Sequence, residues 1–175
     1  VGAVADQLGG AIIEAQLTNE KNWQRWTSGF RVLQSAEAFA EHGDFYRRHG
    51  PSVLGDDVAA RFEFASRVTD ADRKAASGVR SEVLNRLEEL TEGGTCVVLM
   101  PAAPTRAPLR NRPETDTAAV SRLLRLTSIA SLAGAPSVTV PSRTTTPVGL
   151  SLVGAPGSDE MLIDLAADVH QFLSF

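Results

Sequence analysis

Five apolar residues in unbroken succession, Cys96-Val97-Val98-Leu99-Met100, closed by Pro101, constrain this chain more than any other feature. A run of that length with β-branched members and a proline stop reads as a strand buried on both faces, the pattern of a parallel sheet. Before it, apolar residues at Val79, Val83, Leu87 and Leu90 recur at three and four, and Gly93-Gly94 supplies a stop, so a long helix feeds the strand. Helix into buried strand implies an α/β unit, and the rest of the chain is consistent with one.

Upstream, Val1, Val4 and Leu8 have helical spacing, Gly9-Gly10 breaks it, and 11–15 reads as a strand, so the chain is expected to begin mid-fold. From Trp23 to about Arg48 a second helical stripe runs through Trp23, Trp26, Phe30, Leu33, Ala36 and Ala40 and should bury both tryptophans. Asp56 to Arg67 is a shorter helix with Val58 and Phe62 on one face. Thr69 with Asp72 forms a capping-box pattern that opens the next helix.

Downstream, Pro101 to Asp116 holds four prolines and three arginines without periodicity, an exposed loop leaving the strand. Thr117 to Ala133 is helical and ends at Gly134-Ala135-Pro136; Ser137 to Val140 and Val148 to Leu152 are strands able to pair as a hairpin. Pro156 to Glu160 then opens a helix with a serine cap, two acids at its positive end, and a stripe of Leu162, Leu165, Val169 and Phe172.

Composition excludes several functions. Net charge is −4 and the 17 basic residues are scattered, which leaves no footprint for nucleic acid. No apolar stretch reaches the roughly 20 residues that span a bilayer. A single cysteine, Cys96, precludes an internal disulfide and fits a reducing, cytoplasmic setting. His42 and His49 lie two helical turns apart, too far to share a metal, so no metal or cofactor is expected. Glu37 and Glu41 read as a solvated face, Lys21 and Lys74 lack any sign of the burial a catalytic lysine needs, and Arg106, Arg110 and Arg112 read as solvated cations. No glycine-flanked serine elbow occurs.

Three segments in order carry a more specific signal: 126–141, LTSIASLAGAPSVTVP; 147–154, PVGLSLVG; and 157–160, GSDE. Together they resemble the C-terminal segment of amidase-signature hydrolases, in which a helix with an AGxP-like turn, a short strand, a PVGLxLVG strand and a GSDExLL helix follow one another. Val98 to Pro104 is similar to that family's strand and proline-rich loop, and Gly9-Gly10-Ala11 to the turn before it. The region from Trp23 to Arg67 is similar to amidases acting on arylacetamides such as indoleacetamide.

The resemblance implies an α/β fold with a mixed sheet flanked by helices, residues 1–175 forming the C-terminal part of an amidase-signature domain. It implies acyl transfer from a small amide, by a serine nucleophile activated through a second serine, with a cis peptide bond, and a lysine. No glycine- and serine-rich run of the family's kind exists here, so the catalytic residues are expected in an N-terminal half outside this chain, and the chain alone is expected to be inactive. Met100 and Pro101 at the strand end, with Thr127 and Ser128 on the following helix, are the expected substrate-binding positions. Besides the missing half and the substrate, self-association stays open as a partner. Two alternatives remain: a binding or assembly module that keeps the fold without the chemistry, and a hydrolase using Cys96 as nucleophile.

Overall fold

The computed structural model describes residues 9–107, 117–141 and 149–173, with the side chains of Thr117 and Ala118 excepted. The predicted N-terminal helix and most of the connections at 108–116 and 142–148 lie outside the described residues. The chain forms two compact units, one of Glu20–Glu82 and one built from the chain on either side of it.

In the Glu20–Glu82 unit, α1 (Glu20–His49) and α2 (Asp56–Ala65) are joined by a tight turn at Pro51–Val53. Gly50 ends α1 with φ of 74° and ψ of 176°, an extended positive-φ conformation open to glycine because it has no Cβ, and its amide donates to the Tyr46 carbonyl at 2.9 Å. The two helices meet through rings: Tyr46 stacks on Phe62 with centroids 5.4 Å apart, and Phe39 lies 6.4 Å from each of them. The Arg47 guanidinium sits 5.1 Å above the Phe39 ring.

The third helix, α3 (Asp70–Thr91), opens on the predicted capping box. Thr69 donates from its amide (2.9 Å) and hydroxyl (2.6 Å) to the Asp72 carboxylate, and the Asp72 amide returns a bond to the Thr69 hydroxyl at 3.1 Å. Those donors, the hydroxyl foremost, hold the Asp72 carboxyl below its ordinary range. Trp26, 1% exposed, donates its indole N–H to Glu82 at 2.9 Å, and Arg25 pairs with the same carboxylate. Trp23 is only half-buried and covers Trp26 edge-on at 5.6 Å, so one tryptophan is buried where two were predicted: a second ring one turn earlier falls at the rim of the contact. A Cβ at Gly29 would lie 2.9 Å from a Val79 methyl, which is why glycine stands where α1 approaches α3.

In the second unit, β1 (Val98–Pro101), β2 (Ser137–Pro141) and β3 (Gly149–Val153) form a sheet of order β1-β3-β2, every neighbour antiparallel. The predicted pairing of the last two strands holds. The reading of 96–100 as a parallel strand buried on both faces does not: β1 lies at one edge, antiparallel to β3, and Leu99 is 40% exposed. An apolar run fixes neither the direction of a strand's partner nor how deeply the strand is covered. Residues 11–15 form no strand either; Ile12 and Ile13 are exposed, and the following carbonyls of Gln16 and Leu17 instead accept bonds from Arg86 on α3 at 2.7 and 3.0 Å.

Helix α4 (Thr117–Ala133) ends at Gly134, φ 63°, where the Ala135 amide donates to the Ala130 carbonyl at 2.9 Å, closing a Schellman turn that aims the chain into β2. Helix α5 (Asp159–Leu173) lays Leu162, Ala166 and Val169 on Val140 and Leu152, with Val138, Leu150 and Leu165 at the margin. Ser158 precedes α5 as predicted, but its hydroxyl donates backward to the Ala155 carbonyl at 2.7 Å. Two glycines of the PVGLSLVG segment are sites without room. A Cβ at Gly149 would come within 2.7 Å of the Thr139 methyl and 2.9 Å of Ala102, and one at Gly154 would land on the Ser158 hydroxyl.

Candidate functional site

Antiparallel register decides which side chains share a face of the sheet. Leu99, Leu152 and Val138 align across the three strands, as do Pro101, Leu150 and Val140, and the cluster with α5 identifies this as the covered face. The opposite face carries Val98, Val153 and Ser137 in one row and Met100, Ser151 and Thr139 in the next.

That second face is a small polar surface. The Ser151 hydroxyl lies 3.2 Å from the Thr139 hydroxyl and 3.4 Å from that of Ser137, with Met100 in register beside it on β1. Thr139 is exposed, Met100 and Ser151 are half-buried, and Val153 closes one end as a buried apolar floor. Hydroxyls in such a row can donate to or accept from a polar ligand without committing to a charge. Among the described residues their hydrogen-bond partners are one another and not a histidine, lysine or carboxylate able to take the proton, so nothing described there activates them as nucleophiles.

The four positions predicted to contact substrate are separated by the fold. Met100 belongs to the polar row, whereas Pro101, the next residue, points to the α5 side. Thr127 is exposed on α4, its hydroxyl donating to the Leu123 carbonyl at 3.1 Å. Ser128, about 100° further round the helix, is 1% exposed and donates to the Leu124 carbonyl at 2.5 Å. The polar contacts of both stay inside α4, the usual accommodation of Ser and Thr within a helix. Ser137, Thr139 and Ser151 were missed by sequence reasoning. Their signal was present as alternation of small hydroxyl residues with Val and Leu in two strands, but only the register brings them together.

Other candidates stand apart. His42 and His49 are exposed, the latter ring resting against Phe45 at 4.6 Å. Glu37 is engaged by Arg80 at 3.1 Å, Lys21, Lys74 and Arg106 are exposed, and Cys96 is half-buried. Arg110 and Arg112 lie outside the described residues. Among the described residues no three His, Cys, Asp or Glu side chains converge as metal ligands, and no helix is long and apolar enough to cross a membrane.

Comparison with known proteins places this geometry. The family model described as Amidase matches residues 9–163. Amidase 1 of Arabidopsis thaliana is 30% identical over 153 residues, covering 84% of this chain and 35% of the relative. A glutamyl-tRNA(Gln) amidotransferase subunit of Streptococcus agalactiae serotype Ia is 30% identical over 162 residues, covering 89% of this chain and 33% of the relative. A crystal structure of an amidase superposes with a TM-score of 0.79 at 23% identity, over 98% of this chain and 40% of that one, a likeness of fold. The chain thus spans about a third of the length of the curated relatives it matches.

Proposed function

The chain belongs to the amidase family, and on that premise we propose that it is the C-terminal portion of an amidase-signature domain whose whole protein hydrolyses the C–N bond of a small amide. The observation that carries this reading is the match over residues 9–163 together with the order helix, strand, strand, helix, in which Gly149 and Gly154 stand where no Cβ fits.

The chemistry is acyl transfer. A serine oxygen attacks the amide carbon, the departing nitrogen takes a proton and leaves as ammonia or an amine, and water releases the acid from the serine ester. The serine, its partner serine and the lysine that relays the proton lie outside these residues; the described hydroxyl row has no base beside it. This chain supplies sheet strands, covering helices and part of the substrate pocket. Met100 on the polar row and Thr127 on the exposed side of α4 are its proposed contacts, while Pro101 and Ser128 shape the backbone behind them. Arylacetic amides are the proposed substrate class and the cytoplasm the proposed compartment, the latter consistent with one half-buried free thiol.

The test is ammonia release from a panel of aliphatic and arylacetic amides, run on this chain and on the product of its full reading frame. Hydrolysis by the full product alone is the expected result. Hydrolysis by neither would favour a binding module that keeps the fold, and hydrolysis by the chain alone would overturn the placement of the catalytic residues.

A further inference from the structure

Arg86 of α3 engages every nitrogen of its guanidinium. Nε donates to the Leu17 carbonyl at 3.0 Å and Nη2 to the Gln16 carbonyl at 2.7 Å, while Nη1 donates to the Glu89 carboxylate at 2.8 Å, one helical turn further on. The stretch it holds has no regular structure: residues 10–19 form neither helix nor strand, and the side chains of 11–16 are exposed. Because the acceptors are main-chain oxygens, the grip is on the path of the chain and not on the identity of residues 16 and 17. A planar, permanently charged fork can fix two consecutive carbonyls at once, and Glu89 steadies the fork from its other end. The helix behind it is firmly seated. Val83 and Leu87 on either side of Arg86 are buried, the buried Thr91 donates its hydroxyl to the Leu87 carbonyl at 2.9 Å, and the Thr91 carbonyl accepts the Cys96 amide at 2.9 Å, two residues before β1.

We propose that Arg86 latches the chain at 16–17 to α3 and thereby acts as a positioning residue for amide hydrolysis. This rests on the reading that the catalytic groups lie in an N-terminal half outside this chain, so that polypeptide arrives through residues 9–19. Residues 16–17, the end of α3 from Val83 onward and β1 all belong to the same compact unit. From the two carbonyls to Met100 each joint is a hydrogen bond or a buried helical turn, so the arriving chain and the proposed substrate contact keep one spacing. Released from Arg86, the chain at 16–17 could shift against β1. An error of about 1 Å between a nucleophile and its bound amide costs on the order of a hundredfold in rate. Binding through Met100 and Thr127 would be left as it is, so the loss falls on kcat and spares KM.

The test compares the product of the full reading frame as wild type, Arg86→Leu, Arg86→Lys and the control Arg80→Leu, by native-state cleavage with a glutamate-specific protease and by the kinetics of ammonia release. Cleavage after the exposed Glu14 must draw residues 16 and 17 into the protease, which requires their carbonyls to leave Arg86. Arg86→Leu is expected to be cut there at least about tenfold faster, with kcat lowered about tenfold or more and KM within about twofold of wild type. Lysine keeps the charge but not the fork, so Arg86→Lys should recover both readings only in part. Arg80→Leu removes the Glu37 pair from the same helix and should match wild type in both. An unchanged rate at Glu14 would overturn the latch, and so would cleavage rising equally at Glu88, Glu89 and Glu92, which reports unfolding of α3. Faster cleavage at Glu14 with kcat unchanged would overturn the positioning role. Arg86→Lys covers the case in which Arg86→Leu fails to fold. A wild-type protein that releases no ammonia would sink the enzymatic reading by itself, while the cleavage rates would still decide whether Arg86 holds the chain.

Discussion

The Glu20–Glu82 unit and the sheet unit satisfy their surfaces in different ways. In the first, helices are tied laterally: aromatic rings join α1 to α2, and charged groups finish the contact with α3, Arg25 and Trp26 sharing Glu82 and Arg80 meeting Glu37. In the second, a three-stranded sheet has α5 on one face, a hydroxyl row on the other, and an uncharged exposed side on α4. Both units leave large apolar side chains in water: Phe45, Val53 and Phe64 in the helical one, Val120 and Leu123 on α4.

The contrast between the units is tested hardest at the sheet. Leu152, fully buried at the centre of the α5 contact, should cost about 3 kcal/mol when replaced by alanine, read as a lower urea midpoint for the full protein. A cost under about 1 kcal/mol would mean that the α5 contact collapses onto the cavity and contributes little. Next come two of the three crowded glycines, one from each unit. Gly149→Ala and Gly29→Ala should each destabilise by about 2 kcal/mol through overpacking, but only the second has a simple remedy. Val79→Ala should restore most of the loss at Gly29, because the clash is with one side chain, while Gly149 is hemmed from two directions. Thermal melts of the single and double variants measure the coupling.

The smallest effect is at the capping box. Thr69→Ala should cost about 1 kcal/mol at neutral pH. The Asp72 carboxyl is held below its ordinary range, so the stabilisation is present above the unfolded carboxylate value of about 4 and is lost as pH falls through the depressed folded value. Urea titrations at neutral pH and near pH 2 should therefore show the gap between wild type and variant narrowing in acid; a constant gap would remove the carboxylate from the effect.

Helices were legible because their signals are local. The stripe from Val120 to Ile129 with Gly134 after it predicts α4 at Thr117–Ala133, and Thr69 with Asp72 predicts the cap, since three or four residues contain the whole interaction. The family motifs added the order of the last four elements. What was not legible depends on partners distant in sequence. Cys96 to Met100 states that a strand is apolar but not that β3 runs against it, and Ile12-Ile13 has the composition of a strand but pairs with none among the described residues. At the site, Thr127 and Ser128 are adjacent letters that the helix sends to opposite environments, and Ser151 joins Thr139 across 12 residues only through register.

Gly154 and Ser158 show what such crowding means for anyone rewriting this chain. The missing Cβ of the first is the space that the hydroxyl of the second occupies while it reaches back to Ala155. A redesign that varies the two positions independently spends most of its library on pairs that cannot both be accommodated. They are two letters of the alphabet but one decision, and a larger residue at 154 is admissible only together with a new way of closing the turn into α5.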